Sequence, residues 1–350
     1  MRRKFDYFGM SENDLSDLCD DKYVFAGYTD WKYWTSEFQS HGKYLRLYGF
    51  YPKWLPLYIF MSHGVDLDKA EDIYPFDLKH DAYCMLYMYS RKIPYFKKKS
   101  STPCYPMKSL FAYCRKRNHF RQSASAKGTL FFFSHSTEST ENRMDLEKLF
   151  QELKMLPEKM QPVCICLHMT DVHKGVHKKF IENGFPVYSA GNNCDIRFAE
   201  RWYKLVKNFK YTASNTIGSY VCYSVEMGIP FFYYGSEPVT YNLSDDNIPL
   251  GRYAYEDEKW YQEVAKLFSY NDFEIRLTDE QIQFTNMRLG LETGLSRKEM
   301  SKILWKAYFS RENIFLLLKR MVFFIMTFPI KEIRRQSLSM KLNRQENRLR

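Results

Sequence analysis

The sequence predicts an α/β protein of two domains followed by C-terminal helices. Three observations carry this. Between residues 129 and 234, short apolar runs of strand length alternate with segments of helical periodicity, five strands deep. A small, polar stretch, RQSASAKG at 121–128, separates this block from an aromatic-rich first third. The chain has 350 residues, 45% of them hydrophobic, which is enough for two cores of ordinary size.

In the first third, segments 23–27 (YVFAG), 44–48, 57–61 (LYIFM) and 82–89 (AYCMLYMY) read as strands of an α/β unit. The second block is clearer. Strands are expected at 129–133 (TLFFF), 163–167 (VCICL), 186–189, 210–213 and 229–234 (IPFFYY). Helices are expected between them at 144–156, 173–183, 198–209 and 217–227, with Gly184 and Gly228 as stops. Unbroken apolar strands are those covered on both faces, so the sheet is parallel with right-handed crossovers. Helices follow at 256–268, 279–289 and 297–309, the second opened by Thr278-Asp279-Glu280-Gln281. The expected boundaries are 1–126, 127–290 and 291–350.

The last apolar stretch, 313–330 (NIFLLLKRMVFFIMTFPI), is broken by Lys319-Arg320 and ended by Pro329. A spanning helix needs roughly 20 apolar residues, and each central Lys or Arg costs about 2.5–3.5 kcal/mol. The segment therefore either lies in a membrane interface, with the basic tail on acidic headgroups, or closes the core as a packed helix.

The net charge is +11, which favours anionic partners. Residues 91–121 hold ten Lys or Arg and no acid, and residues 331–350 hold seven against two acids. Each is either a solvated face or a docking patch. The eight cysteines form no C-x-x-C pair, as expected of reduced thiols in the cytoplasm, and the N-terminus shows no apolar signal segment.

In an open parallel sheet the ligand sits at the carboxyl ends of the strands. There the sequence places Ser134-His135-Ser136, then His168, then Ser214-Asn215-Thr216-Ile217-Gly218-Ser219, then Glu237. The 214–219 turn enters a helix whose free N–H groups and dipole favour phosphate; the same residue types also serve as plain helix caps. In the first block, Ser62-His63-Gly64-Val65-Asp66 follows an apolar strand. His63 or Asp66 is a general base if it faces the interdomain cleft; Asp66 equally suits a helix cap. His173 and His177 lie four apart but lack a third ligand, so no metal site is expected. Neither a P-loop nor a G-x-G-x-x-G fingerprint is present, which removes the main support for an ATPase or an NAD dehydrogenase.

On these residues the chain resembles bacterial GT-B glycosyltransferases that use cytidine-nucleotide donors: the Kdo and sialic acid transferases and the CDP-glycerol polymer synthases. Their His-Pro pair is matched by His168, here followed by Met169. Their Ser-Ser or Ser-Thr pair is matched by Ser214 with Asn215 and Thr216. The helix, Gly-Ile-Pro and aromatic strand of 220–234 and the Ser62-His63-Gly64 turn are also similar. The likeness spans residues 57–235.

The resemblance implies two Rossmann-like domains facing a cleft, the acceptor on 1–126 and a nucleotide-sugar donor on 127–290. Donor phosphates would lie on His168, Ser214, Asn215, Thr216, Gly218 and Ser219, with Ser134, His135, Ser136 and Glu237 nearby. His63 or Asp66 would deprotonate the acceptor. No cofactor or metal is expected beyond the nucleotide-sugar co-substrate. The expected role is sugar transfer to a lipid-linked or oligosaccharide acceptor in bacterial surface polysaccharide assembly, including lipopolysaccharide or capsule, at the cytoplasmic face of the inner membrane. Polyol-phosphate transfer from a CDP-polyol is the alternative chemistry. Nucleic-acid binding through the basic patches, where Tyr95, Phe96, Tyr105 and Phe111 lie among the lysines, is the alternative class and leaves the strand-end hydroxyls unexplained.

Overall fold

The computed structural model describes residues 5–29, 32–62, 64–245 and 248–327. The fold is mixed α/β with two parallel sheets. The smaller has β1 (Phe60–Met61), β2 (Met85–Tyr87) and β3 (Cys104–Pro106) in the order β1-β2-β3, all parallel. β4 (Thr129–Phe132) begins the larger one. β5 (Thr140–Arg143) leaves it and pairs with β10 (Val239–Asn242) and β11 (Gly251–Tyr253) in a small antiparallel sheet. β6 (Val163–Leu167), β7 (Val187–Ser189), β8 (Tyr211–Ser214) and β9 (Phe231–Tyr233) complete a five-stranded parallel sheet, in the order β7-β6-β4-β8-β9.

The apolar strands are explained by cover on both faces. In β6, Cys164 and Cys166 enter one core cluster, while Val163, Ile165 and Leu167 enter another on the opposite face. β4 divides likewise: Leu130 and Phe132 point one way and Phe131 the other. The first cluster also takes in Tyr44, Leu86 and Phe111 from the smaller sheet's side, and Phe111 stacks on Tyr223 at 4.1 Å between ring centroids. The hydrophobic core thus runs across the 126/127 boundary. The helix Glu12–Asp20 also crosses it, burying Leu15 and Cys19 against the larger sheet.

Several expected elements take another form. Segment 44–48 belongs to the helix His41–Tyr48. Tyr44, Leu45 and Tyr48 are buried by this helix, and Arg46 is buried too, held by Glu37 (Nη1–Oε2 2.8 Å) and by the carbonyl of Leu55. Segment 23–27 forms no strand, and 173–183 is two helices, Met169–His173 and Val176–Glu182, separated by Gly175 at positive φ. Residues 314–327 are helical, and no described helix is long and apolar enough to cross a membrane.

Candidate functional site

The chain leaves β4 for β6 on one side and later returns to β8 on the other. That switch point, outside the carboxyl ends of β4 and β8, is where open α/β sheets bind ligands. A cavity of about 350 Å³ lies there. The loop after β4 lines it with Ser134 and His135, the turn after β8 with Thr216 and Gly218, and the loop after β9 with Glu237. Thr140, Asn142 and Thr240 of the antiparallel sheet and Tyr255, Trp260 and Tyr261 form the remaining wall.

Asn142 organises the loop after β4. Its Nδ2 donates to Ser134 Oγ (2.6 Å) and to the carbonyl of His135 (2.8 Å), while its backbone N–H donates to Ser136 Oγ (3.0 Å). Thr240 Oγ1 in turn donates to Asn142 Oδ1 (2.7 Å). Below this loop Ser136 N–H donates to Asp171 (3.4 Å), whose burial pushes its pKa up to about 7. Ser136 is therefore a loop anchor and does not line the cavity.

The residues of the 214–219 turn divide by function. Ser214 is fully buried; its hydroxyl meets that of Tyr220 (2.9 Å) and accepts from Thr216 N–H (3.1 Å). Asn215 is also buried and donates to the carbonyl of Ser236 (2.7 Å). These two set the shape of the turn, leaving Thr216 and Gly218 at the cavity. Among the described residues no side chain caps the helix Ser219–Glu226; Val221 N–H turns back to the Gly218 carbonyl (3.0 Å), and the N–H groups of Ser219 and Tyr220 keep the capacity to bind an anion. Ser219 points elsewhere: its Oγ accepts from Val65 N–H (2.9 Å), joining this helix to the turn after β1. Gly64, at φ +76, permits that approach, since a β-carbon there would come within 2.7 Å of Ser219 Oγ.

His168 stands behind the cavity. Nδ1 caps its own helix, accepting from Thr170 N–H (3.3 Å), Nε2 lies 3.1 Å from Asn193 Nδ2, and the ring rests against that of His135, with centroids 4.5 Å apart. Both ring nitrogens are thus engaged within the protein, and His135 is the imidazole that reaches the ligand space. Among the described residues no lysine or arginine lines the cavity. Its polar lining consists of hydroxyls, His135 and the turn at Gly218, with the carboxylates of Glu237 and Asp245 on the opposite wall.

A second cavity, of about 560 Å³, adjoins the first and shares Asp245, Tyr255 and Trp260 with it. Its far wall comes from the smaller sheet's side: Ser62, Asp66, Asp68 and Asp77. Beneath it lies the fully buried Lys92, with Nζ 3.1 Å from Asp66 Oδ1 and 2.9 Å from Asp68 Oδ2. Burial works against the charge on Lys92, but the two carboxylates outweigh it and hold its pKa above the ordinary value. Arg288 fixes the backbone here, donating to the carbonyls of Asp66 (3.0 Å) and Asp68 (2.7 Å). No helix begins at Asp66, so it is not a helix cap. Burial, reinforced by the charge of Asp66, pushes Asp77 up to about 7, and its Oδ2 accepts from the Tyr87 hydroxyl (2.6 Å). His63 lies outside the described residues.

The basic stretch 91–121 is not one surface. Lys92 points inward, and Arg115 pairs with Glu226 (2.6 Å) across the two halves of the chain. His173 and His177 face Asp20 and Glu12, at 2.9 and 3.9 Å.

No family model matches the chain, and no curated protein matches it. Among solved structures it is similar to the wall teichoic acid polymerase TagF, at 12% identity and a TM-score of 0.37, over 73% of this chain and 70% of that one. A substituted TagF soaked with CDPG for 30 minutes gives 12% and 0.33, over 66% and 59%. The corresponding 15-minute soak gives 9% and 0.33, over 86% and 94%. The chain spans 59% of the length of the 30-minute form.

Proposed function

We propose that the chain is a glycosyltransferase that moves a sugar from a nucleotide-sugar donor to a hydroxyl acceptor. The observation that carries this reading is the pair of adjoining cavities: one at the switch point of the larger sheet, the other floored by buried carboxylates from the smaller sheet's side. In this reading Thr216, Gly218, the N–H groups that follow, Ser134 and His135 hold the donor phosphates. Ser214, Asn215, Ser136 and His168 shape the loops that do so, and Glu237 lies at the donor's rim. The acceptor oxygen attacks the anomeric carbon while the bond from that carbon to phosphate breaks, and the nucleotide leaves with the electron pair. Asp66 takes the acceptor's proton; hydroxyls and helix N–H groups stabilise the leaving phosphate. The acceptor is a glycan or lipid-linked saccharide of bacterial surface polysaccharide assembly, and the chain works on the cytoplasmic side of an anionic membrane.

Titration with CMP, UDP and GDP tests the donor site. At a hundredfold excess over Kd the matching nucleotide stabilises the fold by about 2.7 kcal/mol, several degrees in Tm. No shift with any of the three at millimolar concentration rules the donor site out. With the donor known, Asp66→Asn lowers turnover by about 10²–10⁴-fold. An Asp66→Asn protein of unchanged activity removes Asp66 from the reaction.

A further inference from the structure

The second cavity has a chemical character of its own. Seven carboxylates line it among the described residues. Asp66, Asp68, Glu71, Asp72 and Asp77 come from one side; Asp245 and Glu258 come from the other. Against them stand Lys69 and Lys99 in the lining and Lys92 beneath. This excess of negative charge sits in a chain whose net charge is +11, so it is a local concentration and not a reflection of composition. Asp66 and Asp77 are also incompletely paired among the described residues. Lys92 occupies one oxygen of Asp66, and Tyr87 one oxygen of Asp77. Among the described residues, the second oxygens of both, and Ser62 Oγ, are buried with no hydrogen-bond partner. Unsatisfied buried acceptors are costly, and they persist where a ligand's donors complete them or where their field has a use.

We propose that this cavity selects an acceptor whose reacting end carries no phosphate or carboxylate, and that it favours an amine-bearing sugar. An ammonium group has three donors and no acceptor, which suits a wall rich in carboxylate oxygens short of donors. A neutral sugar is tolerated through its hydroxyls. A phosphate brought to the same place would meet like charge from both sides of the cavity, in a setting where charge–charge terms are screened less than in bulk water. Sugar transfer and polyol-phosphate transfer are separated here, since a growing polyol-phosphate chain carries a phosphate next to its reacting hydroxyl. The inference deepens the transferase reading above and rests on it for the word acceptor; the binding preference itself is independent of any donor.

The test is binding of glucosamine, glucose and glucose 6-phosphate to the full chain, followed by ligand-observed NMR. Glucosamine is expected to bind at least about tenfold more tightly than glucose 6-phosphate, with glucose between them. Near pH 7, where Asp77 is partly ionised, Asp77→Asn should reduce that preference. The exposed rim pair Glu71→Gln and Asp72→Asn serves as the second variant and should reduce it as well. Equal or tighter binding of glucose 6-phosphate overturns the inference, as does failure of all three sugars to bind, or a preference that neither variant changes. Nucleotide binding without amine selectivity sinks this inference alone; amine selectivity without nucleotide binding sinks the transferase reading alone.

Discussion

Asp77 differs from an exposed carboxylate in what its proton costs. Its side chain is buried beside Asp66 and Asp68, and burial with their repulsion pushes its pKa to about 7 from the ordinary 3.8. The folded state therefore binds more protons than the unfolded chain between those two values, and stability falls as pH rises through that window. Above about pH 7 the two states are equally ionised at this group and the loss is complete. Asp171 acts in the same direction, since burial also holds its pKa near 7. Asn mimics the protonated form and keeps an oxygen for the Tyr87 hydroxyl. Asp77→Asn should thus match the parent near pH 4, gain on it up to about pH 7 and hold a constant advantage above. That advantage is on the order of a few kcal/mol. Denaturant unfolding at a series of pH values measures it. A pH-independent difference would mean that Asp77 titrates alike in the folded and the unfolded chain.

At the scale of elements, the donor-side loops depend on the antiparallel sheet. β5 and β10 carry Asn142 and Thr240, and Asn142 alone makes three hydrogen bonds to the 134–136 loop. Asn142→Ala removes the side-chain bonds and leaves the His135 carbonyl and Ser134 hydroxyl without that donor. It should lower stability by about 1–3 kcal/mol and weaken nucleotide binding by a larger factor than Tm alone explains. Binding titrations well below Tm separate the two effects; unchanged affinity would detach the loop from the site.

Asn142 was not legible in the sequence, because β5 is a polar strand, TENR, whose partner lies almost a hundred residues away. What was legible followed from burial on both faces. The segment 163–167 is a strand with the expected bounds, and the loops after β4, β8 and β9 do meet in one cavity. The individual roles were harder. Ser219 and Ser214 are chemically alike and five residues apart, yet one binds Val65 across the chain and the other supports its own turn. Pairing of that kind depends on tertiary contacts that no local pattern records. Lys92 misled for the same reason: within a basic run it reads as surface, and it lies at the centre of an acidic cluster.

At the scale of the whole molecule, the helical residues 314–327 are apolar on the outward face as well as the inward one. The inward face holds Leu317, Arg320 and Phe324. Arg320 is tied to Glu312 (2.6 Å), and Phe324 stacks on Trp54 with centroids 6.0 Å apart. The outward face holds Ile314, Phe315, Leu318, Met321, Val322, Phe323, Ile325 and Met326, all exposed, Phe315 at 70%. Surface helices normally turn charge outward, and an exposed apolar face of this size marks an interaction. Lys319 lies within it, and the loop at Phe50–Trp54 joins it to the neighbouring helix Arg297–Phe309. There the exposed Lys298, Lys302 and Lys306 alternate with exposed Phe50 and Phe309. Apolar residues framed by lysines match the chemistry of an anionic bilayer surface, and the sequence beyond residue 330 adds seven basic residues. The protein should therefore co-sediment with phosphatidylglycerol vesicles and not with phosphatidylcholine alone, and high salt should weaken the association. Leu318→Glu with Val322→Glu should release it while leaving nucleotide binding unchanged. If light scattering instead shows a dimer that those substitutions dissociate, with no affinity for vesicles, the face is a contact between two copies. In that case the acceptor reaches the acidic cavity from solution, not along a membrane.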